Sequence, residues 1–130
     1  MILAEAKANI QELGDPRYMC RAEGQSRDRI EISLAMVKNA LKAKQNSDWM
    51  GDYYQYANRL AHLYFLHILC GIPTWMVFIY ILSDERDFHI RSERKWAKGL
   101  ARIQKTLGLP KHHLLSQQII NVFPEIGIRY

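Results

Sequence analysis

The sequence predicts an α/β domain in the order β-α-α-β-α-β, with a mixed or parallel central sheet flanked by helices. Three observations predict it. The chain opens on a strand-like run, ILAEAKA at residues 2–8, whose side chains alternate between two faces. Two helical patterns follow. Then WMVFIYIL at 75–82 is β-branched and aromatic on both faces, as a central buried strand should be. The connections are long enough for parallel crossovers. With 130 residues and no repeat or linker, the chain reads as one domain, 1–130.

Each element has its own signal. After the first strand, QELGDPRYMCRAEGQS at 11–26 holds two glycines and a proline and reads as an irregular connector. From Arg27 to about Gln45, Ile30, Leu34, Val37 and Leu41 recur at helical spacing, with Ser26 or Asp28 near the start. NSDWMGD at 46–52 is a polar break in which Asp52 can cap the next helix. That helix, about 53–70, is apolar around most of its circumference and ends at Gly71. After SDERD, a helix over about 92–107 turns Trp96, Leu100, Ile103 and Leu107 inward and stops at Gly108 and Pro110. IINVF at 119–123 reads as a last strand ended by Pro124.

Composition narrows the partners. Lys and Arg outnumber Asp and Glu by 18 to 13, a formal charge of +5, which suits a polyanion and equally suits a plain basic surface. Cys20 and Cys70 show no CxxC spacing and read as reduced thiols of a cytoplasmic protein. No basic, apolar leader is visible. Residues 60–82 lack Asp, Glu, Lys and Arg, but the Cys-Gly-Ile-Pro break at 70–73 divides them into a helix and a strand rather than a membrane span.

Three groups carry possible chemistry. Glu5 and Lys7 project from one face of an otherwise apolar strand, where charges cost free energy unless they are partnered. An isolated ExK triplet is more often a solvated pair. As a site, Glu5 and the Ala6 backbone carbonyl can ligate magnesium, and Lys7 can act on a water or a phosphate. Gln55, Arg59 and His62 fall at i, i+4 and i+7, as a solvent stripe or as donors to phosphate oxygens. Arg91, Lys95, Lys98, Arg102 and Lys105 form a basic stripe with Asp87 and Glu93 as nearby counter-charges. That stripe is a solvated face or a track for a nucleic-acid backbone. His112 and His113 lack ligands at metal spacing and read as solvated, and Trp49 and Trp75 read as core. No GxSxG, GxGxxG or GxxxxGKS occurs, which leaves serine hydrolase, dinucleotide and P-loop chemistry without support.

A strand bearing ExK, then helices, then a fully buried strand resembles the PD-(D/E)xK nuclease superfamily, with its restriction-endonuclease-like fold. More narrowly, EAKANIQEL, the stretch 48–82 and a late INVF look like an uncharacterised bacterial PD-(D/E)xK-like family. The resemblance implies magnesium-dependent hydrolysis of a DNA phosphodiester. Glu5 would ligate the metal, Lys7 would act on the attacking water, and Gln55 would occupy the glutamine position of the adjacent helix. It also implies a preceding strand with a second metal carboxylate, for which only four residues precede Glu5. Asp15, Asp48 and Asp52 substitute only by unusual geometry. The expectation is therefore the C-terminal part of a longer fold, lacking its first elements and with half a site. Two alternatives share that scaffold: a non-catalytic nucleic-acid-binding module using Arg59, Arg91, Lys95, Lys98 and Arg102, and a homodimer formed through the exposed edge of the first strand.

Overall fold

The structure, a computed structural model, describes residues 1–83 and 93–126. The expected counter-charge Asp87 and the basic residue Arg91 lie outside the described residues. Strand β1 (Ile2–Lys7) leads through two short 3-10 turns into helix α1 (Gly24–Leu41). Helix α2 (Tyr54–Tyr64) and a π-helical turn (Phe65–Leu69) then lead to β2 (Trp75–Tyr80) and β3 (Leu82–Ser83). Helix α3 (Glu93–Thr106), β4 (Ile119–Val122) and β5 (Glu125–Ile126) complete the described elements.

The sheet runs β1-β2-β4 and both pairings are parallel, so β2 is central as its sequence predicts. Beyond Tyr80 the ladder shifts rather than ending. The amide of Leu82 donates to the Pro124 carbonyl at 2.9 Å, and β3 pairs with β5 in parallel. β4 thus ends before Pro124 as expected, and the short β5 beyond the proline, whose carbonyl can accept though it has no N–H to donate, belongs to a separate two-stranded sheet with β3.

Helix bounds follow local backbone chemistry. α1 starts before Arg27 because Gly24 takes φ 58° at the turn into it. It ends at Leu41, short of Gln45, because Lys42 adopts φ 57° and the amide of Ala43 bonds back to the Lys38 carbonyl at 2.9 Å. α2 widens into its π turn, with the Cys70 amide donating to the Phe65 carbonyl at 2.9 Å, and Gly71 at φ 65° ends the run.

The strand order advances in one direction, and crossovers of a single hand then lay their helices on one face of the sheet. Side-chain packing agrees. Tyr56 of α2 stacks on Phe78 at 4.9 Å between ring centroids, and Trp96 of α3 meets Tyr80 at 4.8 Å. The core lies between, with Leu34, Val37 and Leu41 of α1, Ala57, Leu60 and Leu63 of α2, and Met76, Phe78 and Tyr80 of β2. Trp49 joins it, its indole N–H donating to the Leu107 carbonyl at 2.8 Å. Trp75 does not. The register places it beside Ile2 on the opposite face, where it is 39% exposed. The helices that flank the sheet therefore lie on one face of it among the described residues. Both cysteines are free thiols, Cys20 buried and Cys70 exposed. No helix among the described residues is long and apolar enough to cross a membrane.

Candidate functional site

Glu5 and Lys7 share the helix-covered face of β1, two residues apart and therefore about 6.6 Å apart along the strand. Gln55 and Arg59 are one helical turn apart on α2, about 6 Å along its axis. The two spacings match, and the pairs meet in antiparallel order. Lys7 Nζ lies 2.8 Å from Glu5 Oε1 and donates to Gln55 Oε1 at 2.5 Å. Arg59 Nε donates to Glu5 Oε2. The Glu5 and Lys7 side chains retain only 11% and 10% of their exposure, whereas Arg59 retains 34%. The strand's alternation and the helix's turn thus bring together all four residues from distant parts of the sequence.

The surroundings are aromatic. Lys7 Nζ stands 5.8 Å from the Tyr18 ring centroid. Tyr56 and Tyr80 line the same small cavity as Glu5 and Lys7. Burial pushes the Tyr56 hydroxyl up to about 12. Burial also raises Tyr80 strongly, with Tyr56 and the Glu5 charge adding to it. The Tyr80 hydroxyl is buried without a hydrogen-bond partner among the described residues. Glu12 and Asp52 line this cavity as well. Tyr18, Glu12 and Tyr80 gave no site signal in the sequence, because each reaches the cavity through tertiary packing rather than by periodicity. For Tyr80 that packing is the strand register, which pairs it with Lys7.

Other candidates separate from this cluster. His62 is exposed, and its Nδ1 lies 2.8 Å from the Asn58 carbonyl of its own helix. It lines an apolar groove of about 310 Å³ between α1 and α2, so it does not extend the Gln55–Arg59 stripe to the site. Asp15 accepts from the amide of Arg17 at 2.9 Å and pairs with its guanidinium, which holds its carboxyl below the usual range. Asp48 accepts from the amides of Met50 and Gly51 at 2.9 and 3.1 Å. Both aspartates thus serve turns, and only Asp52 of the three reaches the site. His113 is half-buried rather than solvated, with Nδ1 accepting from the Leu115 amide at 3.2 Å. Burial lowers its pKa, and neighbouring His112 lowers it further. It lines an open cavity of about 430 Å³ between α3 and β4, with Gln104, Lys111, Ser116 and Asn121.

The basic stripe is distinct but adjacent. Lys95, Lys98, Arg102 and Lys105 are exposed on α3, and Arg94 joins them. None forms an ion pair among the described residues. Arg102 lines a cleft with Gln11, Leu13 and Gly14, and Leu13 also borders the Glu5 cavity. The cationic helix therefore runs up to the rim of the site.

A divalent ion does not fit this arrangement. Both Glu5 oxygens already face cations, the cavity measures about 10 Å³, and magnesium requires octahedral oxygen ligation. No group of three His, Cys, Asp or Glu side chains among the described residues is placed to hold a metal. The chain matches no family model, no curated protein and no solved structure.

Proposed function

We propose that this chain binds the phosphodiester backbone of nucleic acid, DNA in the first instance, on a restriction-endonuclease-like scaffold. The observation that carries the reading is α3. Residues 94–106 contain five cations and no acidic residue, and all five cations are exposed. A charged stripe from Lys95 to Lys105 is about 15 Å long, enough to meet successive phosphates. Arg59, one-third exposed at the mouth of the Glu5 cluster, adds a forked donor suited to a phosphate oxygen.

Binding of a labelled duplex, measured by fluorescence anisotropy across a salt series, tests this. Affinity falls steeply with salt, and Lys98→Glu with Arg102→Glu weakens it about tenfold or more while flattening the salt slope. Tight binding that is indifferent to salt and to both reversals would sink the reading.

Magnesium-dependent hydrolysis of that backbone, the reading the resemblance implies, would require Arg59 to leave Glu5 and an ion to enter the cavity that Glu12 and Asp52 also line. Cleavage of plasmid DNA in magnesium, lost in Lys7→Ala and in Glu5→Gln, is its test. The edge of β1 away from β2 pairs with no strand among the described residues. This supports the further proposal of a homodimer through that edge.

A further inference from the structure

The Glu5 carboxylate is almost entirely enclosed, and enclosure makes an uncompensated charge expensive. Its compensation comes from within the chain. Lys7 Nζ covers one oxygen at 2.8 Å, and Arg59 Nε donates to the other. These two cations over one anion leave the immediate cluster with one net positive charge. Gln55 fixes the ammonium from the far side with its carbonyl oxygen, at 2.5 Å. Glu12 and Asp52 border the cavity, yet they do not join Glu5 in a metal-holding cluster. The groups facing Glu5 are thus two cations, an amide and the rings of Tyr56 and Tyr80.

We propose that Arg59 is the resident cation of Glu5, standing where the family resemblance would put a divalent metal, and that the native chain takes up no such ion there. A guanidinium stays charged at every accessible pH and needs no octahedral shell. It can therefore neutralise the enclosed carboxylate at Oε2, while the cavity that Glu5 and Lys7 line, about 10 Å³, leaves no room for a hydrated metal. The same geometry predicts that removing the guanidinium leaves Glu5 Oε2 without the cation that faces it and open to an added one.

The inference goes beyond nucleic-acid binding, and its test omits nucleic acid, so either can fail without the other. Terbium, a hard oxygen-seeking cation, is titrated into the full chain, with luminescence sensitised by Tyr56 and Tyr80 as the signal. Native protein is expected to show no more signal than Glu5→Gln. Arg59→Met is expected to gain a saturable site at least about tenfold tighter than any in the native chain, since one nearby positive charge has been removed. Adding Glu5→Gln to that variant should abolish the gain. Saturable binding by the native chain that is lost in Glu5→Gln would overturn the proposal, as would a folded Arg59→Met that gains nothing. Should circular dichroism show Arg59→Met unfolded, Arg59→Gln takes its place, and the native measurement decides independently of both.

Discussion

On the helix-covered face of the sheet, Met76, Phe78 and Tyr80 are fully enclosed by α2 and α3. Trp75, Val77 and Ile79, one residue out of step on the same strand, stand on a face that no helix covers among the described residues. β1 sharpens the contrast by inversion. Its enclosed face carries Leu3, Glu5 and Lys7, and its open face carries Ile2, Ala4 and Ala6. Ile120 and Val122 of β4 extend the open face and are also exposed. The usual amphipathic pattern places charge outward and apolar groups inward. Here the charges are inward, tolerable only because Glu5, Lys7, Gln55 and Arg59 satisfy one another. The lesson is that the covered face is where the polar chemistry was built, while the open face is uniformly apolar.

That contrast can be broken most forcefully at the core. Phe78→Ala removes a ring that is 2% exposed and stacked between Tyr56 and Tyr80. It should cost about 3–5 kcal/mol in urea unfolding. Trp75→Ala, on the same strand but 39% exposed, should cost less than half as much despite the larger side chain. Equal losses would mean that the outer face is covered in solution.

Titration gives the next effect. Tyr56 ionises near 12 in the folded chain, against about 10 when unfolded. The unfolded state therefore loses this proton first as pH rises. The contribution is fully present below pH 10 and is lost as pH climbs toward 12, amounting to about 2–3 kcal/mol across that window. Tyr80 adds to it in the same direction. Tyr56→Phe should flatten this alkaline decline in a series of unfolding curves, and an unchanged slope would show that the ring is less enclosed than its packing implies.

The smallest effect concerns the open face. Ala4 is exposed on the edge strand, so Ala4→Lys should shift monomer stability by less than about 0.5 kcal/mol. A lysine on a strand edge discourages edge-to-edge pairing. Sedimentation equilibrium should therefore show a concentration-dependent dimer in the native chain and a monomer in the variant. A native monomer at high concentration would remove the edge from consideration.

Much of the framework was legible in the sequence because local periodicity controls it. The two-residue repeat put Glu5 and Lys7 on one face, and the helical repeat put Gln55 and Arg59 on another. The apolar run at 75–82 marked the centre of a parallel sheet. Where reading failed, the cause was non-local. The apolar outer positions of β2 resemble its core positions, so Trp75 passed for core. His62 has the spacing of a site residue but turns onto the groove between α1 and α2. Pro124 ends β4 as its sequence signals, but nothing local announces the short β5 that pairs with β3 beyond it.

The sequence by itself thus determined which side chains travel together, since backbone geometry ties facing to residue count. Only the tertiary structure decided which of those faces would meet. It set Arg59 on Glu5, brought Glu12, Tyr18 and Tyr80 to one cavity, and left one side of the sheet without a helix among the described residues. The physical reason is that crossover hand and strand order, which choose the covered face, are properties of the whole chain's path. No local stretch of residues encodes them.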